Sequence, residues 1–266
     1  LFASFPKPLR TNTYNINSTG YSPIAITGTP VPFNDDKFSG AIPLGFQFCF
    51  VEDVCTQCYI SDNGVLTFNP AYANGNCNNN TQQTLPYFNS TFPDNAIFFM
   101  FMDLNPAKGG SVKYATMGTA PYRKFVLKYE NVKLFGNTCT NVTSNFQVVL
   151  SETVHTIEVF ITDKNVCDAN PANYANYATV GIQNIGATLQ FTAPSKHASI
   201  FTVNGEGIKI SPAGPPDYVM SWKNKGGVTI ASNVDSVLVC PTIFPYNYYT
   251  ATLKINCPLA TFIDSI

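Results

Sequence analysis

Histidine is nearly missing from this chain: His155 and His197 are the only two in 266 residues. Charge is scarce as well, at 12% Asp, Glu, Lys and Arg, about half the share of an ordinary soluble domain. The 15 basic and 16 acidic side chains leave a net charge of −1 with no basic cluster. That balance argues against an electrostatic nucleic-acid binder, so no nucleic-acid partner is expected. No apolar run approaches the roughly 18 residues that a membrane-crossing helix needs. The densest stretch, 96–102, has only the length of a strand. A Gly-x-Ser-x-Gly elbow, a His-Glu-x-x-His pair and a glycine-rich phosphate loop are all absent, and with them the usual signatures of serine hydrolases, zinc peptidases and nucleotide binders.

What is present is apolar and aromatic. Hydrophobic residues make up 45% of the chain, with 21 Phe and 14 Tyr, enough to build a core and unlike a disordered segment. Helical periodicity is nearly absent. Short β-branched and aromatic runs recur instead, bounded by Gly, Pro, Asn and Asp, which is the signature of strands. Residues 45–50 form one such run. Residues 58–68 read as a hairpin around Asn63-Gly64, a pair suited to the backbone of a tight turn. Residues 96–104 are nearly all apolar and predict a central strand covered on both faces. In 124–129, Phe125, Leu127 and Tyr129 alternate with Lys124 and Lys128. The runs 146–150 and 157–161 alternate in the same way, with one face toward a core and the other toward solvent. These patterns predict an all-β fold, an antiparallel β-sandwich.

Three stretches break the pattern. Residues 69–94 are rich in Asn and read as a long loop pinned by Cys77; such loops are often functional. Residues 212–216, Pro-Ala-Gly-Pro-Pro, have the composition of a stiff linker. Beyond it, 213–266 holds strand-like runs and the single Trp222, a smaller immunoglobulin-like β module, short for a full one. The expected division is an N-terminal extension at 1–19, a sandwich at 20–212 and the module at 213–266. The chain opens on Leu1 without a basic-then-apolar leader and closes on a strand-like run, so a trimmed product of a longer parent is expected.

Eight cysteines in a chain of this kind suggest an oxidising compartment. The simplest partition pairs Cys240 with Cys257 inside the C-terminal unit. Cys49, Cys55, Cys58, Cys77, Cys139 and Cys167 would then pair among themselves, in an order that sequence does not choose. Cys55-Thr56-Gln57-Cys58 is a lone CxxC. A redox motif needs a helix N-terminus and a zinc site needs further ligands, so structural bridging is the favoured role.

Candidate chemistry is sparse. Both histidines read as turn or loop residues. Paired carboxylates for glycoside hydrolysis, such as Asp103 with Glu130 or Glu152 with Glu158, are not singled out by their spacing. No cofactor is expected. Calcium is the cation that oxygen-bearing loops suit; Asp35, Asp36 and Asp103 are its candidate ligands, with Asp62, Asn63 and Asn105 nearby, although turn chemistry accounts for all of them too. Asn173, Tyr174 and Tyr177, in 170–177, form the best candidate recognition loop, because a tyrosine can offer an apolar face with a polar tip. Asn17, Asn79, Asn89 and Asn141 fit Asn-x-Ser/Thr. Asp235-Ser236-Val237 and Asp264-Ser265-Ile266 resemble the bacterial Asp-Ser/Thr-aliphatic O-glycosylation sequence.

An acidic pair, Asp35-Asp36, precedes Ile42-x-Leu44-Gly45-Phe46-x-Phe48, and a strand-Asn63-Gly64-strand unit follows. That order resembles the start of extracellular nidogen-like domains. The further blocks 102–106, 109–114, 117–126, 149–153 and 180–184 resemble the N-terminal region of large cell-surface proteins of gliding Bacteroidota, followed by immunoglobulin-like or PKD-like modules. Residues 51–58, with two extra cysteines, and the enlarged Asn-rich loop depart from that pattern. The resemblance implies an extracellular, cell-surface location and export by type IX secretion machinery. It also implies attachment at the outer membrane and a role in adhesion or surface motility, with a surface glycan or a protein as ligand. The expectation is therefore a non-enzymatic adhesin. A subunit that pairs with copies of itself in an extracellular fibre is the alternative, and a secreted glycan-acting enzyme comes third.

Overall fold

A computed structural model of the chain describes residues 1, 7–77, 79–89, 91–136, 138–139, 141–170, 173–239, 248–257 and 259–265. In chain order the strands are β1 (Tyr14–Thr19), β2 (Thr29–Pro30), β3 (Ile42–Phe50), β4 (Asp53–Ile60), β5 (Val65–Thr67) and β6 (Ala96–Phe101). Then come β7 (Ser111–Met117), β8 (Lys124–Lys133), β9 (Thr143–Ser151), β10 (Ile157–Lys164), β11 (Tyr177–Gln183) and β12 (Gln190–Thr192). The last are β13 (Ser199–Ile200), β14 (Val203–Pro212), β15 (Tyr218–Asn224), β16 (Thr229–Ser232), β17 (Tyr249–Ile255) and β18 (Ala260–Ser265). Among the described residues the helical pieces are four short 3-10 turns, and there is no α-helix. The fold is all-β and its pairings are antiparallel, as the sequence predicts.

One sheet runs β1-β14-β10-β9-β8-β7-β2 and the second β12-β11-β6-β5-β4-β3, with β13 added at β11. Alternation puts Ile42, Leu44, Phe46, Phe48 and Phe50 of β3 into the core between the sheets. Phe125, Leu127 and Tyr129 of β8 meet them from the first sheet. Phe99 bridges the layers, 5.5 Å from the Tyr129 ring and 5.8 Å from that of Phe146. Each such ring adds about 0.5–1.5 kcal/mol beyond its buried area.

The fully buried β6 is covered on its outer face by the Asn-rich loop. Leu85 and Phe92 of that loop pack on Val65, Phe98 and Phe101, and Gln183 on β11 donates to the Pro93 carbonyl at 2.7 Å. The loop's few apolar residues are thus the ones that shield a strand whose sequence is apolar on both faces.

One boundary differs from expectation. Residues 14–19 are not an extension: β1 pairs with β14 along its whole length, Tyr14 with Pro212 through Thr19 with Gly207. The Pro-rich stretch after β14 joins the two parts of the chain and is tied to the segment before β1. Arg10 N–H donates to the Pro215 carbonyl at 2.9 Å, and Asp217 N–H to that of Pro8 at 3.0 Å. Pairings between residues 200 positions apart leave no local trace in sequence. The C-terminal strands form a four-stranded sheet, β16-β15-β17-β18, around Met220, Trp222, Leu253 and Ile255. Trp222 is buried and donates its indole N–H to the Val234 carbonyl at 2.9 Å.

The disulfides correct the expected pairing. Cys257 is joined to Cys49, not to Cys240, which lies outside the described residues. The reason is topological: β17 ends where β15 begins, with Ile255 opposite Tyr218, so Cys257 emerges at the end of the C-terminal sheet that adjoins the sandwich. Cys139 pairs with Cys167, within the expected group of six. Cys55 and Cys58 are buried thiols. Three steps along an extended strand cover about 10 Å, beyond the roughly 7 Å that a disulfide can bridge. Burial pushes the Cys55 thiol up to about 12, and the Cys58 and Cys77 thiols well above their ordinary range. Closing separations of 28 and 208 residues removes about 4 and 5 kcal/mol of unfolded-state entropy in the chain-closure model.

Candidate functional site

The turn between β4 and β5 places Asp62 and Asn63 against the segment before β3. Asp62 is fully buried. Its carboxylate accepts from Asp36 N–H at 2.7 Å and Lys37 N–H at 3.0 Å. The side-chain amides of Asn63 and Asn79 donate to the two Asp36 oxygens at 3.0 and 3.3 Å. Asn63 also accepts from Leu104 N–H at 2.7 Å, which ties the residues after β6 to the same corner. Gly64 makes the turn possible. Its φ is +73°, and an added Cβ would lie 2.1 Å from the Met100 carbonyl oxygen.

Asp35, Asp36 and Asp62 each bring a carboxylate oxygen within 4.8 Å of the others. Asp103 is fully buried and lies outside that group of three, near enough for Asp36 and Asp35 both to bear on its charge. Burial, reinforced by those like charges, pushes Asp103 up to about 8. Burial also takes Asp62 to about 8, against the pull of its two backbone N–H donors. The two Asp103 oxygens, Asp35 Oδ1 and Asn105 Oδ1 are buried without a hydrogen-bond partner.

The candidate recognition loop arrives at the same corner. Thr81 in the Asn-rich loop donates its hydroxyl to the Tyr174 carbonyl at 2.7 Å. The Tyr174 hydroxyl faces Asp103, outside ordinary hydrogen-bond geometry to either oxygen. Tyr174 is 40% exposed as a residue, and its ring lies 6.5 Å from that of Phe135, over which Lys108 Nζ sits at 5.3 Å. Asn173 does not offer itself to a ligand: it is buried and caps the 3-10 turn by accepting from Ala175 N–H at 3.0 Å. Tyr177 is half-buried and begins β11. Residues 171 and 172 lie outside the described ones. Asn176 accepts from Cys167 N–H at 2.6 Å, so the Cys139–Cys167 bridge anchors the base of this loop.

A second feature lies at the other end of β8, ten residues or about 33 Å away. A cleft of about 640 Å³ is lined by Phe46, Pro121, Arg123, Glu152, Ile255 and Phe262, where the sandwich meets the C-terminal sheet. Arg123 donates its Nε–H to Glu152 at 2.9 Å and holds that carboxyl below the usual range. The cleft contains none of the sequence-predicted ligand residues. Beside it stands His155, which the sequence marked only as a turn residue. It is buried; Nδ1 accepts from Cys49 N–H at 3.2 Å and Nε2 meets the Cys257 carbonyl at 3.1 Å. A histidine can clamp both halves of a disulfide only once the fold has brought them together, so nothing local announced it. Glu130, weighed for hydrolysis, is engaged by Lys113 and Lys128.

The sequence pattern of a family described as NIDO related matches residues 12–220. The chain belongs to the NIDO-related family. No curated protein and no solved structure matches it. The NIDO-related match takes in β1 and β14 together, in keeping with their pairing, and ends inside β15. Disulfides persist in oxidising compartments. Two of them on a NIDO-related, nidogen-type domain mark this as a protein of extracellular type.

Proposed function

We propose that this NIDO-related chain is a non-enzymatic recognition module of the cell surface, an adhesion domain that grips a glycan or protein through one end of its sandwich. One observation carries the reading. The Asn-rich loop, the acidic corner and the Tyr174 loop converge at a single end of the fold, held there by Thr81, Asn79 and the Cys139–Cys167 bridge. The C-terminal sheet joins the opposite end through Cys49–Cys257. Loops on a rigid sandwich are a common platform for binding, and an exposed tyrosine beside charged groups suits sugars or polar protein surfaces. Both imidazoles are taken up by backbone groups, His197 by Leu85 N–H, which favours binding over acid–base chemistry.

The setting suggested by the ordered sequence blocks is the surface of a gliding bacterium. Type IX secretion machinery and an outer-membrane attachment protein would be the partners there, and an immunoglobulin-like or PKD-like module would follow the sandwich. A sorting domain and tandem modules downstream in the reading frame would support that setting; a eukaryotic reading frame would remove it.

The binding claim is tested on immobilised glycans and whole cells with the purified chain. Tyr174→Ala should weaken binding at least tenfold, while Tyr122→Ala at the far end, also exposed, should leave it unchanged. Equal effects of the two substitutions, or no binding to any surface, would refute the reading. A second reading, self-assembly into a fibre, is favoured by β18, an edge strand whose Phe262 and Ile263 are exposed, since open apolar edges invite pairing. Electron microscopy showing separate particles at high concentration would dispose of it.

A further inference from the structure

We propose that Asp35, Asp36, Asp62 and Asp103, with the side-chain carbonyl of Asn105, form a binding site for one calcium ion at the recognition end of the sandwich. Two independent observations carry this. The first is the approach of three carboxylate oxygens to within 4.8 Å, a spacing that lets one hard cation be shared among them. The second is Asp103, which has no exposed surface and no hydrogen-bond partner on either oxygen. Native interiors leave few such atoms. Of the seven orphaned oxygens among the described residues, four belong to Asp35, Asp103 and Asn105. An unoccupied acceptor on a buried carboxylate is where a cation would be expected to sit.

The donor chemistry selects the ion. Every proposed ligand is an oxygen, which favours a hard cation over zinc or copper. The ligands come from three separate segments, 35–36, 62 and 103–105, whose irregular backbone suits the flexible six-to-eight-fold shell of calcium better than the strict octahedron of magnesium. The site is also prepared in advance. Asn63 and Asn79 hold Asp36, and two backbone N–H groups hold Asp62, yet each carboxylate oxygen keeps a further lone pair. Binding would lock the residues after β6 to those before β3 and brace Asp103 beneath the Tyr174 hydroxyl. The site stands whether or not the end of the sandwich grips a ligand, so its test does not depend on finding one.

The test uses the full chain, stripped with a chelator and titrated with calcium chloride and, separately, with magnesium chloride. Calorimetry should give one calcium per chain with a dissociation constant of about 10⁻⁴–10⁻³ M, the range of extracellular modules. Ten millimolar calcium should raise the melting temperature by about 3–10 °C. Asp103→Asn preserves shape while removing charge. It should bind at least tenfold more weakly and, in chelator, melt no lower than the unmodified chain. Asp35→Asn, at a half-exposed position, should weaken binding in the same direction. No heat and no melting shift in the unmodified chain would overturn the proposal. So would an undiminished response in both variants, or an equal response to magnesium.

Discussion

Acid should loosen the junction around His155, and the size of the effect follows from its geometry. Cys49 N–H donates to Nδ1, so the proton of the neutral ring lies on Nε2, where it donates to the Cys257 carbonyl. Phe48 packs edge-on at 5.5 Å. A second ring proton would face a backbone N–H in a dry site, and burial lowers the pKa to about 4 despite the nearby Asp217 and Glu152. An unfolded histidine titrates near 6.5. The folded pKa is the lower of the two, so this contribution is complete above pH 6.5 and is lost as pH falls toward 4. At 1.36 kcal/mol per unit, it amounts to about 3 kcal/mol in full and about 2.5 kcal/mol by pH 4.5. Asp62 and Asp103 pull the other way, because their raised pKa values let the folded state take up protons first. They are common to both proteins in a comparison with His155→Gln and cancel from the difference. At pH 7 the variant should be less stable by about 1–3 kcal/mol, from imperfectly replaced hydrogen bonds. At pH 4.5 that gap should have closed to within about 0.5 kcal/mol or reversed in sign. Urea unfolding at the two pH values, with disulfides intact and chelator present, measures it. A gap that stays constant within about 0.5 kcal/mol, or a native imidazole titrating near its ordinary value by NMR, would refute the reasoning.

Two further outcomes can be checked by the same method. Gly64→Ala combines a left-handed backbone with a Cβ 2.1 Å from the Met100 carbonyl oxygen; it should cost at least about 2 kcal/mol and displace Asp62 and Asn63. Lys164 is wholly buried, gives its ammonium to the Asn176 carbonyl at 2.9 Å, and has its pKa lowered by burial to about 8. Its deficit is therefore largest below pH 8 and recovers as pH rises toward 10.5. Lys164→Met should stabilise the chain by about 1–2 kcal/mol at pH 7 and lose that advantage near pH 10.5.

What the sequence disclosed was local. Period-2 alternation located the core face of β8, the wholly apolar run located β6, and Asn63-Gly64 located the β4–β5 turn. Asp35, Asp36 and Asp103 were nameable as ligands because short acidic turns are visible in any chain. Their meeting with Asp62 depends on left-handed backbone at both Gly64 and Asp36, which sequence can suggest but not place in space. Cys257 finds Cys49 across 208 positions and β1 finds β14 across nearly as many; contacts of that range have no neighbourhood signature. The packing role of the Asn-rich loop was hidden for a related reason. Its composition describes the side facing water, whereas Leu85 and Phe92 decide what it does.

The Cys49–Cys257 bridge also governs how the molecule would answer a pull. Tension applied between a point before Cys49 and a point after Cys257 takes the covalent shortcut and never reaches the chain between them. That stretch spans 208 positions, roughly 70 nm of contour length at full extension. The strands between the two cysteines would ride along as an inextensible bead, leaving β1, β2 and most of β3 before the bridge, and β18 after it, open to being peeled away.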